Sequence, residues 1–406
     1  MDHKHFDIII AGAGLAGLTL ALECVRRPFF QQYKVLLIDR DSKRKNDRTW
    51  CFWATNDEIR DMNCSRTWPR AQFFGSSKEV PMDMGAYRYC MVRGIDFYNR
   101  ADQELGRAEN VQRLQADISR IDAATGTVYT SEGNFTGNWV FNSAITNAPL
   151  LPKADELYPA PPLSQIAAIR PDERYSWLLQ HFKGWIIETE KPTFDPEKIT
   201  LMDYRIEQKG ETRFMYVLPF DDKRALVEFT VFSPALCEAG EYEQVLRSYI
   251  HKELNISEFT VEEEEFGVIP MSDYPLPWRQ NGHEIPIGTV GGFVKPSSGY
   301  AFKRTQRKMR AFVDAWEKTG TPDPAIMRSP RRFRMLDSIM LRVLSDRLLP
   351  GHVLFTRLFQ RLNAPLVFRF LDEDATFAEI LRLLTAPPSV PFLKALLRQY
   401  GRLFHV

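Results

Sequence analysis

The sequence predicts an α/β fold with one lobe on a parallel sheet, a second lobe on an antiparallel sheet, and a helical carboxyl-terminal region. Three observations predict this arrangement. An apolar run near the amino terminus ends in a glycine-rich turn at residues 12–17 and is followed by a second apolar run at residues 35–39. Short apolar runs bounded by polar or proline-bearing turns follow from residue 164 onward, and helical spacing dominates from residue 331.

The amino-terminal segment predicts a Rossmann-type strand, turn, helix and second strand. Gly12 permits a tight turn, Gly14 lets backbone N–H groups approach a pyrophosphate, and Gly17 allows the helix to lie close to the strand. Asp39, at the end of the second strand, would bind ribose hydroxyls. A glycine-rich turn without a ligand is the alternative. The predicted dinucleotide ligands are Gly12, Ala13, Gly14, Leu15, Ala16, Gly17 and Asp39.

Changes of pattern divide the chain into four segments. Residues 1–163 are expected to form the first part of the nucleotide-binding lobe, 164–283 the antiparallel substrate lobe, 284–320 a return to the first lobe, and 321–406 a basic helical region. Within them we expect antiparallel strands at residues 184–189, 200–206, 213–218 and 225–232, helices at 241–254 and 301–318, a strand at 285–290, and a solvated strand entrance in the acidic run 262–265.

The composition is that of an ordinary soluble globular protein. Of 406 residues, 44% are hydrophobic and 26% charged, and the net charge of +1 argues against nucleic acid as the main partner. Five scattered cysteines without CxxC spacing indicate a reducing compartment and neither a zinc site nor a disulfide framework. No stretch has the length and apolarity of a membrane span. We therefore expect a cytoplasmic protein without a metal site.

The carboxyl-terminal region concentrates positive charge. Residues 331–406 contain twelve basic and six acidic side chains, so their local charge is +6, whereas the rest of the chain carries −5. Basic, apolar helices can rest on an anionic membrane surface, which predicts peripheral membrane association. A helical region packed on the substrate lobe is the alternative.

Glu228 is the candidate proton donor. Strand alternation over residues 226–232 places Leu226, Glu228, Thr230 and Phe232 on one face and Val227, Phe229 and Val231 on the other. If the face of Glu228 lines a cavity, desolvation favours the neutral acid, which can donate a proton. If that face meets water, Glu228 is an ordinary solvated residue.

Several motifs together resemble one family. The glycine-rich turn, DRTWCFW at residues 47–53, GWIIET at 184–189, FGVIPM at 266–271 and GFVKPSSGY at 292–300 occur in this order. They are similar to those of the bacterial lycopene β-cyclases of the flavoprotein superfamily, and the resemblance spans nearly the whole chain. The motifs at 47–53 and 292–300 are together much more specific than the turn.

This resemblance implies a chemistry and its residues. Reduced FAD, with NADPH as the electron source, would assist a reaction without net redox change that closes the ends of lycopene, or a related acyclic carotenoid, into the β-rings of γ-carotene and then β-carotene. Glu228 falls at the family's catalytic acid. Other members carry a second acid directly after it, where this chain has Phe229. The pattern adds Arg48, Arg93, Pro296 and Gly299 as cofactor neighbours.

The reaction needs a dry cavity, because bulk water would capture a tertiary carbocation. Phe232, Trp185 and Trp50 are candidates for cation–π contacts with such a cation. Other functions share the nucleotide-binding fold. A flavin-dependent monooxygenase or prenyl-chain reductase would consume oxygen or stoichiometric NADPH, and a non-catalytic lipid-binding protein would hold no flavin firmly.

Overall fold

The computed structural model describes residues 4–144, 175–238, 240–276 and 280–403, with side chains up to residue 399. Within this part of the chain there are two seven-stranded sheets, a three-stranded sheet and ten α-helices. The boundary predicted between residues 163 and 164 lies outside the described residues.

The first sheet carries the predicted Rossmann-type strands. From edge to edge it contains β8 (Val111–Gln115), β2 (Val35–Asp39), β1 (Lys4–Ala11), β11 (Gly133–Asn142), β10 (Thr127–Thr130) and β9 (Ile118–Asp122), with β17 (Glu284–Pro286) also beside β11. The pairs among β8, β2, β1 and β11 are parallel. Ile8, Ile9 and Ile10 are fully buried, as expected for a parallel strand covered on both faces.

One strand of this sheet is shorter than predicted. The strand expected over residues 285–290 ends at Pro286, as the last residue of β17. Gly288 follows with a left-handed φ of 63°, which breaks the extended backbone. The apolar residues beyond Pro286 therefore form a turn.

The second sheet is mostly antiparallel. In order it contains β16 (Thr260–Ser272), β12 (Trp177–Glu188), β15 (Arg224–Ser233), β14 (Thr212–Pro219), β13 (Lys198–Asp203), β5 (Arg70–Phe74) and β6 (Glu79–Val80). β12 to β15 overlap the four predicted strands, but β12 begins at Trp177, before the predicted start at residue 184, and β13 ends at Asp203, before the predicted end at residue 206. β5 and β6 come from the segment that was predicted to belong to the first lobe. They lie in the second sheet because β5 pairs in parallel with β13. The two lobes are thus interleaved more than the predicted boundaries state.

A small sheet and several helices connect the lobes. The small sheet consists of β3 (Thr49–Thr55), β7 (Tyr87–Arg93) and β4 (Arg66–Trp68). α1 (Leu15–Val25), α3 (Gly94–Leu105) and α5 (Phe302–Thr319) share a hydrophobic core with the first sheet, and α2 (Asn56–Met62) follows β3. α5 confirms the helix predicted over residues 301–318.

Both faces of the second sheet are covered. α4 (Glu241–Lys252) packs on the face that carries Val227, Phe229 and Val231. The other face, with Leu226 and Phe232, shares a core with the carboxyl-terminal helices. These are α6 (Arg331–Ser345), α7 (Gly351–Arg361), α8 (Ala364–Leu371), α9 (Phe377–Leu384) and α10 (Ser389–Leu403).

In the described residues, no single helix is both long and apolar enough to cross a membrane. α9 and the first part of α10 meet the requirement together, by length and composition only, but they are bent by 114° relative to each other.

Candidate active site

The glycine-rich turn has the backbone of a phosphate site. Gly12 has a φ of 101°, which L-residues rarely adopt, and a Cβ on Gly17 would lie 1.9 Å from the carbonyl oxygen of Gly12. A Cβ on Gly14, in contrast, would meet no atom of the described chain within 4 Å. Space is therefore open at the amino terminus of α1, where the helix dipole favours an anion.

Asp39 stands beside this turn. Its Oδ2 accepts a hydrogen bond from the Ala13 N–H at 2.6 Å, and its Oδ1 accepts one from the Asp41 N–H at 2.8 Å. Leu15 and Ala16 form the first turn of α1. Asp39 therefore orients the turn, in addition to any contact with a ribose.

Arg48 and Arg93 lie near the facing ends of β3 and β7. Arg48 forms an ion pair with Asp47 at 2.8 Å and remains half exposed. Arg93 pairs across the sheet with Thr49 and forms an ion pair with Asp96 at 3.1 Å. Both guanidinium groups thus have carboxylate partners within the protein.

Hydrogen bonds to α6 hold the turn that contains Pro296 and Gly299. Lys295 Nζ and Ser297 Oγ donate to the two oxygens of Asp337 at 2.9 and 2.7 Å, in a fully buried cluster. Gly299 has a φ of 73°, and a Cβ there would lie 2.2 Å from Gln180 Oε1. That oxygen and Ser298 Oγ are buried without a hydrogen-bond partner among the described residues.

Glu228 lies deep in the second sheet, on the face opposite Phe229. It pairs with Gly184 on β12 and with Tyr216 on β14, and its side chain keeps some accessible surface. Burial and the negative charge of Glu265 raise the pKa of Glu228 well above its usual range, while a 2.8 Å hydrogen bond from Thr230 lowers it less. Both effects favour the neutral form of the carboxyl group, which is the form that can donate a proton.

Glu265 does not match the prediction of a solvated acidic run. Val261 to Glu264 are exposed, but Glu265 turns inward and is hydrogen-bonded to Glu228. Gly184 pairs with Glu228 on one side and with Glu265 on the other. The alternation of β16 separates Glu265 from Glu264, which binds Lys183 on the other face at 3.0 Å.

Three buried or half-buried tyrosines form a hydrogen-bonded cluster beside Glu228. Tyr300 is hydrogen-bonded to Tyr216 and Tyr89, and burial is the main cause that raises its pKa to about 12. All three phenols therefore stay neutral and can act as hydrogen-bond donors at neutral pH. Tyr300 directly follows Gly299, so this cluster joins the turn to Glu228.

A separate cavity of about 470 Å³ lies between the segment 289–296 and α6. Its described lining is mixed, with apolar residues and several cations, and includes Pro296. Glu228 and Glu265 are not among these lining residues.

Comparison with known proteins gives the family. Residues 7–397 match the family described as lycopene cyclase protein. The chain belongs to the lycopene cyclase family. It is similar to a lycopene beta-cyclase of Paracoccus sp., with 24% identity over 95% of each chain. It is 34% identical to a neoxanthin synthase of Solanum lycopersicum, over 77% of this chain and 61% of that protein.

Solved structures confirm the fold of this family member. A geranylgeranyl bacteriochlorophyll reductase-like protein of Thermoplasma acidophilum aligns over 100% of this chain and 98% of its own, with 12% identity and a TM-score of 0.57. A flavin-dependent brominase aligns over 98% of this chain and 100% of its own, with 15% identity and a TM-score of 0.61.

The structure separates the three aromatic candidates. Phe232 shares the face of Glu228. Trp185 lies on the opposite face, in the core with α4, so the prediction that it lines the site is wrong. Trp50 packs in the first lobe against Phe97 and Phe302, at ring distances of 5.6 and 5.3 Å.

Sequence reasoning missed Glu265, the tyrosine cluster and the Lys295–Asp337 pair. Gly184 is the one signal that could have indicated Glu265, because a glycine inside a strand often marks a close approach. Its partners depend on strand register, which a single sequence does not show.

Proposed function

We propose that this family member cyclises the ends of lycopene, or of a related acyclic carotenoid, into β-rings in an acid-initiated reaction. The observation that carries the proposal is the half-buried Glu228 beside Glu265, whose raised pKa supports a neutral acid. The family match and the full-length similarity to the Paracoccus lycopene beta-cyclase support the substrate class.

FAD is the proposed cofactor, and the residues fit it. Open space at Gly14 and the amino terminus of α1 suit a pyrophosphate, and Asp39, which is hydrogen-bonded to the same turn, would bind a ribose. Ser298 Oγ and Gln180 Oε1, both unpartnered among the described residues, support a polar ligand beside Gly299. Reduced FAD, supplied with electrons by NADPH, would contribute negative charge that stabilises a cation without net redox change.

The chain's own residues would carry the proton. Glu228 donates from its carboxyl oxygen to the terminal double bond, and the resulting cation attacks a neighbouring double bond to close the ring. Loss of a proton from the ring restores an alkene, so hydrogen is conserved. Phe232 and Tyr216, on the face of Glu228, help to keep water away and present aromatic surface to the cation.

The test of this proposal is anaerobic incubation with lycopene and reduced FAD, followed by product chromatography. Glu228→Gln keeps the shape of the side chain but removes the exchangeable proton, so ring formation should fall by about 10²- to 10⁴-fold. The matched control is Glu264→Gln, because Glu264 is an acid of β16 whose side chain is half exposed on the opposite face of the sheet. Ring formation by Glu228→Gln at the wild-type rate would show that another group donates the proton.

The flavin assignment has its own test. Gly14→Val should fold, because open space surrounds this position, yet it should lose FAD because the side chain occupies the pyrophosphate site. The absorption spectrum of the purified protein reports the bound flavin. Normal FAD affinity in folded Gly14→Val would contradict the assignment. Oxygen or stoichiometric NADPH consumption would favour a monooxygenase or reductase instead.

We also propose that the protein is cytoplasmic and binds an anionic membrane surface peripherally. α9 exposes Phe377, Leu381 and Leu384, which are spaced by four and three residues and therefore form one stripe. α10 exposes Val390, Leu393 and Leu397 in a second stripe, with fractional exposures of 55–63%. We call these six residues the apolar patch. Arg382 and Lys394 are exposed on the same two helices.

The patch and its cations support contact with anionic lipid. Amphipathic helices with an apolar stripe and basic residues lie in the interface of a bilayer. A hydrocarbon substrate as long as a carotenoid resides in that bilayer, so a membrane-bound enzyme would meet it there. Nucleic acid remains an unexpected partner, because the whole-chain charge is only +1.

A further inference from the structure

Two glutamates from non-neighbouring strands meet across a single glycine. β15 and β16 flank β12, so they are separated by about 9–10 Å, which is twice the usual strand spacing. Gly184, between Glu228 and Glu265, has no side chain to fill this gap. A Cβ there would lie 3.1 Å from Glu265 Cγ and 2.9 Å from Leu226 Cδ1. The two carboxyl groups use the space and are hydrogen-bonded to each other.

Each carboxyl group has one further donor. Thr49 Oγ1 donates to Glu265 Oε2 at 2.8 Å, and Thr230 Oγ1 donates to Glu228 Oε1 at 2.8 Å. Within the described part of the chain, the other titratable groups that act on the pair are acidic or neutral. They are Cys51 on β3, Tyr216 on β14, Tyr300 after the Gly299 turn and Glu263 on β16.

The carboxyl pair therefore binds its first proton more readily than its second. Two adjacent carboxylates repel each other, which favours retention of one shared proton. The two carboxyl groups are hydrogen-bonded to each other, so one is the donor and the other the acceptor. In the proposed cyclisation Glu228 gives up the proton, which makes Glu228 the donor of this hydrogen bond and Glu265 the acceptor. The Thr49 hydroxyl stabilises a carboxylate at Glu265, and the Thr230 hydroxyl stabilises one at Glu228, so the position of the shared proton should respond to the loss of either donor.

We propose that Glu265 is a positioning residue, which holds the catalytic proton on Glu228 and takes the place of the second acid that this chain lacks at position 229. The inference rests on the proposed cyclisation. In that reaction the O–H bond of Glu228 breaks as a C–H bond forms on the substrate, and a C–H bond of the ring cation later breaks to return one proton to the pair. Atoms and electrons balance without an oxidant or reductant.

The first test measures protonation directly. Infrared spectroscopy of the purified holoprotein follows the C=O band of the protonated carboxyl group as pH rises. Glu265→Gln keeps the shape and the acceptor for Thr49 but removes the charge, so the midpoint for Glu228 should move to lower pH. At pH values above the midpoints of both wild type and Glu265→Gln, the variant should have a lower protonated fraction and a lower rate. Each should be about tenfold lower for every pH unit by which the midpoint has moved.

Controls separate this inference from the proposed function. Glu264→Gln should leave the midpoint and the pH profile unchanged, and Glu228→Gln should lose ring formation at every pH. An inactive Glu228→Gln combined with an unchanged midpoint in Glu265→Gln would overturn the role of Glu265 and leave the cyclase proposal intact. A fully active Glu228→Gln would overturn both.

Two threonine variants provide a test that does not require a change at Glu265. Thr49→Val removes the donor to Glu265 and should move the shared proton away from Glu228, which lowers ring formation by about tenfold. Thr230→Val removes the donor to Glu228 and should keep the proton there, so ring formation should persist. Equal rates in flavin-loaded Thr49→Val and wild type would overturn the inference.

Discussion

At the scale of single residues, the chemistry of the site depends on which side chains are uncharged. Glu228 is hydrogen-bonded to a second acid, Glu265, and both are half-buried, with burial as the main cause that raises the pKa of each. The alternation of residues 226–232 correctly predicted the face of Glu228 and the opposite face of Phe229. The sequence could not predict Glu265, because its encounter with Glu228 depends on a strand between them.

This burial should cost stability as pH rises. The pKa of Glu228 is raised in the folded protein, so the unfolded chain loses this proton at lower pH than the folded one. Stability then falls as pH rises from the unfolded pKa through the folded pKa. Glu228→Gln has no such cost, so its thermal midpoint should exceed that of wild type increasingly as pH rises above the unfolded pKa of Glu228.

Differential scanning calorimetry at a series of pH values measures this difference. Glu264→Gln is the control, since this side chain is half exposed. A constant difference between Glu228→Gln and wild type at all pH values would mean that Glu228 titrates alike in the folded and unfolded states.

At the scale of elements, β12 brings the site together because it lacks a side chain at one position. Gly184→Ala should insert a Cβ between Leu226 and Glu265, at distances of 2.9 and 3.1 Å from their nearest atoms. Overpacking of this kind costs about 1–3 kcal/mol. If the carboxyl groups separate, ring formation should fall about tenfold or more, since about 1.4 kcal/mol in a barrier is tenfold in rate.

Unfolding by denaturant and product chromatography measure the two effects of Gly184→Ala. Phe229→Leu is the matched control, because it disturbs the packing of the opposite face of the same sheet. It should lose stability while flavin-loaded protein keeps its rate. A Gly184→Ala variant with an unchanged infrared midpoint and rate would show that the contact across β12 is unimportant.

A second element-scale prediction concerns α6, which supports the Gly299 turn. Asp337→Ala should remove the 2.9 Å partner of the buried Lys295, leave it only the 3.7 Å contact with Glu373, and cost up to about 3–5 kcal/mol of unfolding free energy. The double variant Lys295→Met with Asp337→Leu removes both charges and should be less destabilised than Asp337→Ala. Denaturant titration measures this, and equal losses in the two variants would contradict the argument.

At the scale of the whole molecule, the sequence predicted the lobes better than their connections. The glycine-rich turn and β12 to β15 could be predicted because local hydrophobic period and turn residues determine them. β5 and β6 could not, because their pairing with β13 joins segments that are distant in the chain. The helical carboxyl-terminal region covers the second sheet, yet α9 and α10 still expose the apolar patch.

The last prediction is that this patch and its cations bind anionic vesicles. A fully buried leucine contributes about 1.5–3 kcal/mol, so Leu393→Ser and Leu397→Ser should each weaken binding about tenfold or more to both neutral and anionic vesicles. Lys394→Glu should instead reduce the preference for anionic vesicles. Because the Debye length shortens to about 3 Å at 1 M salt, that preference should also fade as salt rises.

Vesicle sedimentation at several salt concentrations measures these effects. The control is Val261→Ser, which alters an exposed apolar residue of the second sheet at 37% exposure, away from the patch. Binding that is equal for neutral and anionic vesicles at every salt concentration would remove the electrostatic part of the proposal. If Leu393→Ser and Leu397→Ser bind as wild type does, the membrane contacts another surface. Entry of exposed leucines of α10 into a bilayer would stabilise the bound state, so their loss would weaken binding.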